Sequence, residues 1–151
     1  MLFRSNEVAS VATPRLKSAM RSAGNEFPIA EQKSVVDILV AFDQGAKAWA
    51  ENVANWDGGE TMEEFADYAV NKMNMVLEKS KLDDKFFYRL VGVTEVDATY
   101  DEINGSLLAE LRTRSGPLSR LGALREKCGA DTITLLVNKT EGNTTGIAYG
   151  Y

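Results

Sequence analysis

Residues Ser34–Phe42 read SVVDILVAF. The run is short, apolar and rich in β-branched side chains, and Asp43, Gln44 and Gly45 end it. Such a run suits a central strand buried on both faces. Beyond Gln44 the period changes. In GAKAWAENVANW, the residues Ala46, Trp49, Ala50, Val53 and Trp56 fall at helical spacing, and WDGG (residues 56–59) breaks the pattern. A strand followed by a helix is the first half of a crossover unit.

The strongest helix signal lies in TMEEFADYAVNKMNMVLEKSKL. Thr61 and Glu64 have the spacing of a capping box, in which each side chain satisfies a backbone donor of the first turn. Phe65, Tyr68, Ala69, Lys72, Met73, Val76 and Leu77 recur at the spacing of one helical face. This stripe reads as core, and KLDD (Lys81–Asp84) as the turn that ends it. FFYRLVGVTEV, residues 86–96, reads as a second strand. Ile103, Leu107, Leu108 and Leu111 mark a short helix. SGPLSRLGALREKCG marks another, with Pro117 at a tolerated first-turn position and Gly129 where a left-handed cap is wanted. DTITLLVN, residues 131–138, reads as a third strand, and GIAYGY begins a fourth.

The alternation predicts an α/β domain. Strands near Val35–Ala41, Phe87–Val96 and Thr132–Val137 run mostly parallel, joined by right-handed crossovers, with the helix over Thr61–Lys79 packed across the sheet. The loop over residues 139–145 is too short for a helix, so GIAYGY is expected to turn back as an antiparallel or edge strand. Residues 1–32, punctuated by Pro14, Gly24 and Pro28, read as a tail or linker, and residues 33–151 as the domain. MLFRS (Met1–Ser5) matches the translation of a common sequencing-library adapter, ATG-CTC-TTC-CGA-TCT, which would make Met1 an artefactual start with a signal or pro-segment lost upstream.

Composition narrows the function. The 151 residues carry a net charge of -5, which argues against nucleic-acid or anionic-membrane partners, since both call for clustered Lys and Arg. No apolar run approaches the roughly 20 residues that cross a bilayer. The chain contains no histidine, so a Ser-His-Asp triad, a Cys-His pair or a His-ligated zinc cannot be built from it alone. Its one cysteine, Cys128, cannot form an internal disulfide and reads as a small side chain at a helix end. Neither GxGxxG nor GxxxxGK[ST] occurs, which argues against a nucleotide site.

Four features remain as candidates. Asp43, Gly45 and Lys47 occupy the positions of the Asp-x-Ser-x-Ser metal motif of von Willebrand A-type domains, but both hydroxyls are missing and a cation stands at the last position. The acidic pairs Glu63–Glu64, Asp83–Asp84 and Asp101–Glu102 read as helix-start and turn chemistry. Asn-x-Ser/Thr sequons occur at Asn104, Asn138 and Asn143, and they matter only in a eukaryotic secretory host. RLKSAMR (Arg15–Arg21), the most basic stretch, reads as a solvated face or tail.

Three stretches taken in order resemble the front half of the catalytic domain of metzincin zinc peptidases, especially bacterial reprolysin-like and peptidyl-Asp-type metalloendopeptidases. They are VDILVAFDQGAKAW, YAVNKMNMVLEKSKLDDKFFYRLVGV and SGPLSRLGALREKCGADTITLLVNKTEGNTTGIAYGY, and the resemblance spans Ser34 to Tyr151. It implies a zinc-dependent peptidase acting on peptide or protein substrates, secreted or at the cell surface. It also implies that a further strand and a helix bearing His-Glu-x-x-His-x-x-Gly-x-x-His come next. Three histidines there bind zinc, and the glutamate acts as general base on the zinc-bound water. None of that motif lies within these residues, so no catalytic or metal-ligating residue is assigned to this chain, and no activity is expected of it alone. The resemblance gives Gly146, Ile147, Ala148 and Tyr149 a substrate-binding role, as an edge strand to which the substrate backbone adds. Thr145 stands where family members often have a cysteine, so a disulfide there is absent. The rival expectation is a non-catalytic von Willebrand A-like binding domain.

Overall fold

The computed structural model describes residues 33–52, 54–56 and 59–148. The expected tail over residues 1–32 lies outside them. The chain order is β1 (Ser34–Phe42), α1 (Gln44–Ala50), α2 (Met62–Lys79), β2 (Phe86–Glu95), α3 (Gly105–Thr113), a 3₁₀ turn (Gly116–Leu118), α4 (Leu121–Cys128) and β3 (Thr132–Leu136). The strands form an open three-stranded sheet, all parallel, in the order β2-β1-β3. The apolar run SVVDILVAF is therefore the central strand. Ile38 through Phe42 are all buried, while Ser34 and Val35 at its entry are exposed.

Alternate residues of β1 divide the core between two faces. Ile38 and Val40 pack with Ala66 and Val70 of α2, and Phe42 packs with Ala46, Ala50 and Met62. Ala41 points the other way, into a cluster with Val96, Leu107, Leu118 and Leu121, which Ile133 and Leu135 of β3 complete. Helices therefore cover both sides of the sheet, and a parallel sheet needs that cover because crossover connections place helices on its faces.

The β1–β2 ladder contains one irregularity. Ile38 pairs with Leu90, but the next residue, Leu39, pairs with Gly92, so Val91 is an extra residue in β2. A bulge of this kind reverses the facing of every residue beyond it. Tyr88 and Leu90 before the bulge, and Val93 after it, accordingly reach the same cluster. Gly92 is placed over Leu39, where an added Cβ would lie 3.0 Å from the leucine Cδ1.

Local chemistry sets the helix ends. The capping box of α2 is present in both directions: Thr61 accepts from the Glu64 N–H, and Glu64 accepts from the Thr61 N–H. Gly129 caps α4 in the left-handed region at φ 71°. The packed face of α2 is Met62, Ala66 and Val70, not the expected stripe, whose Tyr68, Lys72, Met73 and Val76 are exposed. Two further expectations need correction. Helical spacing through Trp56 does not extend the first helix, which stops at Ala50. The chain folds back instead. The Trp56 indole donates to the Ala50 carbonyl at 2.7 Å, and the Asn55 amide donates to the Trp49 carbonyl at 2.7 Å. These side chains add partners to carbonyls of the last turn, where the Trp49 carbonyl also accepts the Asn52 N–H at 3.3 Å. They also bring Trp49 and Trp56 edge-on to Phe65, at 5.5 and 5.3 Å between ring centroids. The second correction concerns Pro117. It belongs to the 3₁₀ turn, entered through Gly116 at φ 53°, and α4 starts separately at Leu121.

The expected fourth strand is not formed in the described part of GIAYGY. Residues 144–148 are exposed and belong to no strand. The Asp101 carbonyl accepts the N–H groups of Thr140 and Glu141, at 3.0 and 2.9 Å. Those bonds hold the chain after β3 against the segment that follows β2, and Gly142 turns it at φ 72°.

Leu121 is fully buried in the cluster beneath Ala41. Leu121→Ala is expected to lower the unfolding free energy by about 2–5 kcal/mol, measured by urea titration. Val76→Ala, at a residue 61% exposed, is expected to leave the midpoint nearly unchanged.

Candidate functional site

Ligands of open α/β sheets bind outside the carboxyl ends of the strands. In this protein Asp43 occupies that position. It is fully buried, directly after β1, and its backbone is extended. Its Oδ1 accepts the Ala46 N–H at 2.7 Å and caps α1. Its Oδ2 accepts the Tyr100 N–H at 2.9 Å, from the segment after β2. Its own N–H donates to the Leu136 carbonyl at the end of β3, at 3.1 Å. One residue thus ties together the ends of all three strands and the start of a helix. A carboxylate accepting two backbone N–H groups needs no further counter-charge, because charge-assisted bonds replace its lost hydration.

Around Asp43 the polar groups are paired. The Tyr100 hydroxyl lies 3.2 Å from Glu110 Oε1. Burial, then the charge of Glu110, pushes the Tyr100 phenol up to about 12. Lys47 bonds Glu95 at 2.9 Å with both side chains partly in water, and that bond raises the lysine above its ordinary value. Asn138 packs its Cβ over Gly45, 3.4 Å from where a Cβ would sit. The residues in the von Willebrand A-type positions are therefore committed: Asp43 to backbone donors, Gly45 to a close approach, and Lys47 to an ion pair.

Two of the three acidic pairs also have structural work. Glu64 accepts from the N–H groups of Glu60 and Thr61 and from the Thr61 hydroxyl, and the Glu60 bond leads in holding its carboxyl below the usual range. Glu102 accepts from the Asn104 amide, and Asp101 takes the Thr140 hydroxyl at 3.2 Å. Cys128 is half-buried, with its sulfur toward the Arg125 carbonyl at 3.6 Å.

The residues assigned to substrate are not gathered into a site. Gly146, Ile147 and Ala148 lie in the exposed stretch beyond β3, and Tyr149 lies outside the described residues. A shallow groove of about 330 Å³ runs between α2 and the start of β2, lined by Asn71, Asn74, Met75, Phe86 and Phe87 among others. Asn74 is the residue there whose role the sequence did not disclose. Its amide donates to the Tyr88 carbonyl and accepts the Tyr88 N–H, both at 2.8 Å. It satisfies the outer edge of β2 as a neighbouring strand would. An Asn within an apolar helical face, just before a strand, is the only signal for this in the sequence.

Zinc, which the family resemblance implies, does not fit the donors present. The chain has no histidine, and the described residues hold no group of three or more acidic or cysteine side chains placed for a metal. Among the described residues no helix is long and apolar enough to cross a membrane. No family model, curated protein or solved structure matches the chain.

Asp43→Asn retains shape but turns one acceptor into a donor, which leaves a buried N–H unsatisfied. A loss of about 1–3 kcal/mol is expected from urea unfolding, against little change for Asp83→Asn in the exposed turn. The Tyr100 shift gives a second test. Its folded value near 12 lies above the ordinary 10, so its contribution is complete below pH 10 and disappears as pH rises through about 12. Wild-type protein should lose urea resistance across that window faster than Tyr100→Phe. Parallel curves would contradict the assignment.

Proposed function

We propose that Ser34–Tyr151 is the front part of a zinc-dependent metalloendopeptidase catalytic domain that hydrolyses peptide bonds once its zinc-binding helix is supplied. The observation that supports this reading is the sheet. The segments that carry the metzincin resemblance form parallel strands with helices on both faces, and β3 lies at an edge. Further along the chain, Gly146–Ala148 are exposed and belong to no strand, as a segment that pairs with an extended peptide backbone would require. In this reading the described residues provide the scaffold and the substrate-side edge. The metal and the general base come from the His-Glu-x-x-His helix, and no step of the reaction is assigned to side chains of this chain. A von Willebrand A-like binding domain would share the strand–helix alternation, but both hydroxyls of its metal motif are missing here, and Lys47, paired with Glu95, stands at the last position.

The test compares Met1–Tyr151 with a version extended through roughly the next 80 residues of its reading frame, enough for a strand, a loop and a long helix. Zinc titration calorimetry and a peptide-cleavage assay are run on both. Zinc binding and chelator-sensitive cleavage are expected only in the extended chain. A frame without His-Glu-x-x-His within about 60 residues would remove the peptidase reading. Submicromolar zinc binding by Met1–Tyr151 alone would contradict the placement of the site.

A further inference from the structure

The three sequons are equivalent in sequence but differ in the folded chain. Asn104 is the N-cap of α3. Its Oδ1 accepts the Leu107 N–H, and its Nδ2 donates to Glu102, each at 3.0 Å. Both ends of that amide are in use. Asn138 packs over Gly45, and the third residue of its sequon, Thr140, is bound to Asp101 through both its hydroxyl and its N–H. Asn143 differs from Asn104 by its unbonded amide, and from Asn138, which is also exposed, by the unbonded hydroxyl two residues on. It lies within residues 141–148, which are exposed throughout and belong to no helix or strand. Among the described residues, neither its amide nor the Thr145 hydroxyl has a hydrogen-bond partner.

We infer that Asn143 is the N-glycan acceptor of this chain when it passes through a secretory lumen, which rests on the secreted-peptidase reading above. A glycan is bulky and hydrophilic and needs a surface loop. The transferase reads the hydroxyl two residues past the asparagine and bends the acceptor segment into its own site. Residues 143–145 can be bent without breaking a native bond, whereas the other two sequons would each give up bonds that fix a helix start or a loop. The co-reactant is a lipid-diphosphate-linked oligosaccharide. The Asn143 Nδ2 loses one proton to a base of the transferase and bonds to sugar C1. The C1–O bond to the diphosphate breaks, and the lipid diphosphate leaves with that electron pair.

The test expresses the full chain behind a cleavable secretion signal in yeast. Site occupancy is read by mass spectrometry after amidase release of N-glycans. One occupied site, at position 143, is expected. Asn143→Gln and Thr145→Ala should each abolish the glycosidase-sensitive band. Asn138→Gln should leave it unchanged, as should Ser106→Ala, which removes the first sequon but keeps the Asn104 cap. An unmodified chain, or occupancy at 104 or 138 equal to that at 143, would overturn the inference. The peptidase reading is judged by the downstream frame and zinc binding, so the two can fail separately.

Discussion

The fold depends on one buried carboxylate. Asp43 stands where β1 ends, and its oxygens accept N–H groups from α1 and from the segment after β2. Its backbone N–H reaches the last residue of β3. Parallel strands leave unpaired backbone groups together at one end of a sheet, and a side chain with two strong acceptors can satisfy several of them at once. The same bonds bury Asp43 fully at the end of the sheet where α/β proteins usually admit ligands. The residue that looks most like a metal ligand in the sequence is a joint in the structure.

The two sheet edges are treated differently. At β2 the Asn74 amide occupies the positions of a strand, and the bulge at Val91 disrupts the ladder beside it. Unpaired edges invite association, and both devices reduce that risk. At β3 no strand is added among the described residues, because Asp101 draws the following loop toward the other side of the carboxyl end. The open edge and the exposed stretch after it are the parts of the molecule suited to an extended partner chain.

This division of labour is consistent with a scaffold whose chemistry is supplied from elsewhere. The titratable groups around Asp43 are paired with one another, and the acidic clusters hold helix starts and loops. In the proposed reading the reactive groups come from a helix outside these residues, and the described part contributes backbone edges.

Element order, strand direction and the start of α2 were legible in the sequence, because they depend on local period and on a capping pair three residues apart. The Ser34–Phe42 run was central, as its lack of alternation implied. The sequence could not disclose contacts between residues distant along the chain. Asp43 meeting Tyr100, Asn74 meeting Tyr88, and Trp56 returning to Ala50 each join segments whose approach is set by packing. The fourth strand was expected from local apolarity, but bonds to Asp101 decided the path of the chain before Gly146. Local pattern determined which elements exist. Tertiary structure decided which polar groups are free, because a carboxylate, an amide or a carbonyl is committed only when the fold brings its partner within about 3 Å.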